Sequence, residues 1–191
     1  MRKDAQQNRA KILATAAQLF REQSVAAVSM KAIATAAGIG PGTLYRNYPN
    51  KSALCLDMSM TFIQEFVADA QQYLYQTTDD AVTQFKQVLT RYLRFRERRL
   101  QLLASIENGA TVMPAYYKSD LYHELIQLFM QVLKPVSGPL LPGELKFRAD
   151  MLIAMLKSNS YAYQREQGLS RDDLLTQISR LMIKSADPLK K

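Results

Sequence analysis

Between Ser29 and Lys51 the chain reads Ser-Met-Lys-Ala-Ile-Ala-Thr-Ala-Ala-Gly-Ile-Gly-Pro-Gly-Thr-Leu-Tyr-Arg-Asn-Tyr-Pro-Asn-Lys, and this order leaves its backbone few choices. Ser29 has the hydroxyl of a helix N-cap, which takes up a backbone N–H that the first turn leaves unpaired. Ala32, Ile33, Ala36 and Ala37 recur at helical spacing and form a narrow apolar face that a second helix can approach closely. Gly38 stands where a helix stops in a left-handed conformation, and Ile39 can plug the corner. Gly40-Pro41 reads as an N-cap followed by a first helical position. The second helix must be short, because Pro49 cannot continue it. It displays Thr43, Tyr45, Arg46, Asn47 and Tyr48 in place of a fully apolar surface. The spacing predicts a helix-turn-helix over 29–48 whose second helix is built to touch something outside the fold.

Charge is distributed in the same sense. The 191 residues carry a formal charge of +8. Residues 1–51 hold eight Lys/Arg against Asp4 and Glu22, net +6, while the other 140 hold 17 Lys/Arg and 15 Asp/Glu, net +2. A basic excess located on the helix-turn-helix is the footprint of a polyanion site, the other assignment being a merely solvated surface. A hydrophobic fraction of 48% suffices for a core in one large domain or in a small and a larger one. One cysteine cannot form an internal disulfide, and one histidine cannot make a metal site without several other ligands. The amino terminus runs into an amphipathic helix without a signal-peptide core, and no apolar run reaches membrane length. The expectation is a soluble, cytoplasmic chain with no membrane contact.

These residues resemble the TetR family of bacterial transcriptional regulators. The match runs from about Arg9 to Leu54 and is densest over Ala37-Gly-Ile-Gly-Pro-Gly-Thr-Leu-Tyr-Arg-Asn-Tyr-Pro-Asn-Lys-Ser-Ala-Leu54, with Ile12-Leu-Ala-Thr-Ala-Ala-Gln-Leu-Phe20 upstream. The chain departs from the family pattern at Ser24 (usually Gly), Val28 (commonly Thr) and Gly40 (usually a polar cap). The resemblance implies that Tyr45 and Lys51 contact phosphates, while Lys31, Gly42, Thr43, Arg46 and Asn47 face bases or nearby backbone. Arg46 can bond bidentately to guanine and Asn47 to adenine. Each can equally cap or solvate the short helix. Lys51 also stands in the first turn of a following helix capped by Asn50, where free N–H groups suit a phosphate.

Along the chain, a first helix is expected over Arg9 to Gln23, from the spacing of Ile12, Leu13, Ala16, Ala17, Leu19 and Phe20. Arg2, Lys3, Arg9 and Lys11 form a basic arm and first turn placed where they could meet the DNA backbone or minor groove, the other assignment for Arg2 and Lys3 being a disordered charged terminus. The fourth helix is expected to run to about Gln76, and in the family it is the lever between effector and DNA. Its Cys55 is packing or a redox sensor. Thr77-Thr-Asp-Asp80 breaks the chain before a helix from Ala81, in which Arg96 and Arg99 fall on the apolar face. Either that helix bends or an arginine lines a pocket. Helices over Leu100 to Asn108, ended by Gly109, and over Ala115 to Lys134, after Met113-Pro114, follow. His123 reads as a surface or hydrogen-bonded side chain. Residues 135–143 form the clearest loop, and long helices over Glu144 to Gln167 and from Ser170, which opens a capping box, complete the chain.

Tyr92, Phe95, Arg99, Tyr116, Tyr117, Met130, Met155 and Asn159 are the candidates to line an effector pocket, the other assignment being ordinary core. No segment alternates like a half-buried strand, so the expected fold is all-α with about nine helices. The expected division is a DNA-binding domain over 6–66 and an effector-binding and dimerisation domain over 67–191. There is no phosphate-cradling glycine loop, nucleophile elbow or paired acid cluster, so the chain offers no catalytic residues, no metal ligands and no cofactor site. The resemblance implies a homodimer paired through its last two helices. Such a dimer reads a palindromic double-stranded operator and gives it up, most often as a repressor, when a small molecule binds. An effector-free architectural protein and an interaction module that has lost DNA binding are the alternatives.

Overall fold

A computed structural model describes residues 2–107 and 116–184. Among them are ten α-helices and no strand: α1 Arg2–Glu22, α2 Met30–Ala36, α3 Pro41–Asn47, α4 Lys51–Gln76, α5 Ala81–Arg98, α6 Leu100–Glu107, α7 Asp120–Leu133, α8 Glu144–Met155, α9 Ser158–Glu166 and α10 Arg171–Met182. A single 3-10 turn, Lys134–Val136, follows α7. The chain divides into two compact units. The first takes in the described residues of Met1–Phe62 and Gln101–Ala115, the second those of Ile63–Leu100 and Tyr116–Lys191.

In the first unit α1 packs on α2 and α2 on α3. The core consists of Ile12 and Ala16 from α1, Val28, Met30, Ile33 and Ala34 around α2, Leu44 and Tyr48 at α3, and Leu54 of α4. Small residues on α2 let the other helices come close, which is why so short a unit has a closed core. The Ser29 hydroxyl accepts from Ala32 N at 3.1 Å. The turn is a Schellman motif: Gly38 N donates to Thr35 O at 3.0 Å and Ile39 N to Ala34 O at 3.1 Å. Gly38 has φ +57°, a conformation in which a Cβ would be strained. Helix α6 closes the unit with Leu103 and Ile106 buried. Its Gln101 side chain accepts from Val25 N at 3.1 Å, and its Ser105 carbonyl accepts from the Ser52 hydroxyl at 2.7 Å.

The second unit is organised on α5, which buries Phe85, Val88, Leu89, Tyr92, Leu93, Phe95 and Arg96. Phe66 from the later part of α4 stacks on Phe95 with centroids 5.5 Å apart, and Phe129 of α7 meets Tyr92 edge-on at 5.0 Å. Helix α7 packs on α8, and α10 on α5. Glu97 joins Arg165 of α9 and Arg171 of α10. Ser170 and Asp173 cap α10 reciprocally, as expected from the sequence.

Three differences from the sequence expectation have physical causes. Helix α1 begins at Arg2, because residues 2–8, polar apart from Ala5, can join a helix but carry no apolar period to betray it. The helix expected from Ala115 is interrupted: Tyr116 and Tyr117 are helical, the chain turns at 118–119, and a new helix begins at Asp120, where the Ser119 hydroxyl caps it by accepting from Tyr122 N at 3.3 Å. The helix expected over 144–167 is two helices, parted where Leu156 N and Lys157 N fold back on Ile153 and Ala154. This is the tenth helix. Of the two alternatives for Arg96 and Arg99, the structure has the turn: α5 ends at Arg98 with Arg99 in its C-cap, while Arg96 is buried with Nη2 donating to Ser158 Oγ at 3.2 Å. Gly109, Met113, Pro114 and Ala115 lie outside the described residues.

Candidate nucleic-acid interface

Helix α3 is seven residues long and buries Leu44. With so little of its circumference used for packing, most of it faces outward. Tyr45 is 50% exposed, Arg46 is exposed, and Thr43 and Asn47 are half-buried. Arg46 Nη2 donates to Thr43 Oγ1 at 3.3 Å, and Asn47 Nδ2 donates to the Thr43 carbonyl at 2.8 Å. Both side chains therefore lie along α3, each held by a single bond that a base edge can replace. Gly40 and Gly42 have neither a positive φ nor a neighbour within 4 Å of an added Cβ. Nothing inside the fold requires glycine at either position. Lys31 is exposed on α2.

Lys51 is placed differently. Its Nζ donates to the Val25 carbonyl at 2.8 Å and to the Ala26 carbonyl at 3.1 Å, which ties the start of α4 to the loop between α1 and α2. An ammonium has three protons, so these two bonds leave one donor for a phosphate. Asn50 Oδ1 accepts from Ala53 N at 2.9 Å, so Asn50 caps α4.

A cluster that the sequence did not single out stands at the far end of α3. Tyr48, the C-cap residue, is 5% exposed, and its hydroxyl donates to Asp57 Oδ2. Arg9 of α1 donates from Nε to the same oxygen at 2.8 Å and from Nη2 to Oδ1. The Arg9 bonds hold the Asp57 carboxyl below the usual carboxylate range, against burial, which acts the other way. Burial, then the bond to Asp57, pushes the Tyr48 phenol up to about 12. At neutral pH the cluster is a carboxylate, a guanidinium and a neutral phenol. Its one sequence signal is an acid, Asp57, between Leu56 and Met58 in an otherwise apolar stretch.

The effector candidates lie in the second unit in two groups. Tyr92 and Phe95 are buried and stacked, with the Arg99 guanidinium 5.7 Å from the Phe95 centroid. Burial lowers the Arg99 pKa. Tyr116 and Tyr117 pack on each other at 5.8 Å and both meet Tyr122, whose hydroxyl donates to Asp150 at 2.7 Å. Met130 and Met155 are half-buried and Asn159 is exposed. Cys55 is buried, and burial raises its thiol pKa. His123 is exposed, with Nδ1 2.8 Å from the Ser119 carbonyl. Among the described residues no three metal-ligating side chains gather, and no helix is long and apolar enough to cross a membrane.

A small helical unit that presents a short, polar, basic-flanked second helix is a helix-turn-helix DNA-binding unit. Comparison with known proteins gives its family. The pattern of the bacterial regulatory proteins of the tetR family matches residues 12–58. An HTH-type transcriptional regulator of Staphylococcus aureus (strain USA300) is 34% identical over 169 residues, 87% of this chain and 86% of that protein. The fold is similar to that of Thermus thermophilus FadR, a TetR family transcriptional repressor solved with lauroyl-CoA. The TM-score is 0.75 at 20% identity, over 96% of this chain and 99% of that one. It is also similar to RolR solved with resorcinol, with a TM-score of 0.71 at 18% identity over 97% and 93%. The chain belongs to the tetR family and is a DNA-binding transcriptional regulator.

Proposed function

We propose that the chain is a cytoplasmic homodimeric repressor that binds a palindromic operator through α3 and leaves it when a small molecule occupies the second unit. The DNA-binding domain is assigned to 6–66 and the effector and dimerisation domain to 67–191. The carrying observation is α3 itself, a helix anchored by Leu44 that turns Tyr45 and Arg46 outward beside a concentrated positive charge. One such helix offers too few contacts for useful affinity. Two of them, roughly 34 Å apart, read two half-sites. Phe147, Met151, Tyr163 and Leu181, all exposed on α8 to α10, support pairing of two copies through the last helices.

Release is a population shift. The effector must bind a conformer with wrongly spaced α3 helices better than the DNA-competent one, or it changes nothing. Related folds hold an acyl-CoA in one case and a phenol in another, so both belong in the first screen, with ligand-induced thermal stabilisation and loss of operator binding read together. The test of the whole reading is selection of genomic fragments by the full-length chain at physiological salt. An enriched palindrome supports it, and sequence-blind retention that vanishes at moderate salt overturns it.

Two substitution pairs separate the roles of the contact residues. Tyr45→Ala and Lys51→Ala are expected to weaken binding to every duplex, and to flatten the salt dependence for Lys51 by roughly one unit of log–log slope. Unchanged affinity and slope would remove both from the phosphate set. Arg46→Ala and Asn47→Ala are expected to cost about 1–3 kcal/mol of discrimination at one base pair each while sparing general affinity. Identical preference at every operator position would show that neither reads a base.

A further inference from the structure

We propose that Asp57 is a positioning residue for DNA reading, which sets the angle of the recognition helix α3 by holding the Tyr48 hydroxyl and the Arg9 fork at once. The proposal rests on α3 being the reading helix. Three helices meet at this one carboxylate: Arg9 comes from α1, Tyr48 caps α3, and Asp57 lies on α4. Tyr48 directly follows Arg46 and Asn47, so a rotation about its ring moves the two base-reading candidates with it.

The cluster adds orientation beyond what cohesion needs. The Tyr48 ring is already buried in the core with Leu44 and Leu54, so its hydroxyl adds direction and not burial. Arg9 is 59% exposed on its side chain while Asp57 is only 16% exposed, so the ion pair is screened by water on the Arg9 side and its contribution to stability is reduced there. A two-bond Arg–carboxylate fork does fix geometry, since both bonds hold in only one relative orientation. A phenol sharing one of the two oxygens extends that constraint to α3. Contacts to base edges tolerate displacements of only about 0.5 Å, which is the scale such a bracket controls.

Charge gives the proposal an opposed prediction. While paired, the Arg9 and Asp57 charges cancel near the DNA-facing surface. Asp57→Ala frees the guanidinium and adds one positive charge, so electrostatics alone would tighten binding to any duplex. Loss of positioning would weaken only the sequence-specific part.

The full-length chain and its Asp57→Ala, Tyr48→Phe and double variants are titrated against the enriched palindrome and a scrambled duplex of equal length. Thermal melting is recorded alongside. The ratio of palindrome to scrambled affinity is expected to fall about tenfold in each single variant, with scrambled binding unchanged or tighter for Asp57→Ala. The double variant should be no worse than Asp57→Ala alone, because the hydroxyl acts through the carboxylate. Tyr48→Phe keeps the buried ring and the net charge, so it reads the effect without altering core or electrostatics. The proposal is overturned if the ratio stays within about twofold, if both duplexes lose affinity in step with melting, or if the two losses add. A wild-type chain that enriches no palindrome overturns the reading of α3, and this proposal with it.

Discussion

Replacing Phe147 and Met151 together by Asp is expected to leave the chain folded, to make it monomeric, and to lower its affinity for a palindromic operator by at least about a hundredfold. The two side chains are 60% and 41% exposed and lie one helical turn apart on α8, so they share a stripe that faces outward. Exposed residues contribute little to the fold of their own chain, and surface substitutions usually change stability by less than about 0.5 kcal/mol. Across a two-fold interface the same residues meet their copies or near neighbours, and each fully buried apolar side chain there contributes about 1.5–3 kcal/mol. Four new carboxylates in one dimer would replace that gain with a desolvation cost and like-charge repulsion. With the link between the two α3 helices gone, the second half-site no longer binds intramolecularly. Sedimentation and operator titration at the same protein concentration provide the check. A variant that stays dimeric would place the interface elsewhere, and one that unfolds would show the stripe to be core.

The sequence revealed most where a local rule suffices. Ser29, Gly38 and Pro41 each act on the backbone within a few residues, and the N-cap, Schellman turn and α3 start occur where those residues stand. The Ser170 capping box is legible for the same reason. Features that depend on distant partners were not legible. Lys51 bonds carbonyls 26 and 25 residues away, and Arg9 finds Asp57 at a separation of 48. Nothing in either local context records the pairing. The parting of α8 from α9 is similar: 156–157 contains neither Gly nor Pro, and the apolar period runs through it. The buried hydroxyl of Ser158 next to it accepts from Arg96, 62 residues earlier. Arg96 shows the limit of helical-wheel reasoning, which put an arginine on the apolar face but could not name the partner that lets it stay there.

Leu44 and Tyr45 are neighbours in sequence with opposite duties, and the larger of the two effects falls on the one that never reaches the DNA-facing surface. Leu44 is 0% exposed and is the residue through which α3 is anchored in the core with Ile12, Ile33 and Leu54. Leu44→Ala is expected to cost about 2–5 kcal/mol, the removed methyl groups plus the cavity they leave. Domains of this kind hold only about 5–15 kcal/mol in all, so much of the stability margin is removed at one position. Seven helical residues cannot persist without tertiary support, because so short a helix gains too few bonds to offset nucleation. Operator binding by Leu44→Ala should fail through loss of the folded unit, recover in part on cooling or on addition of a stabilising osmolyte, and track the folded fraction seen by circular dichroism. Tyr45→Ala, by contrast, should melt within a few degrees of the wild type and not recover under either treatment, since its loss is one of contact. If Leu44→Ala cost less than about 1 kcal/mol, α3 would be held mainly by its covalent neighbours and by Tyr48, and the single-anchor account of the recognition helix would be wrong.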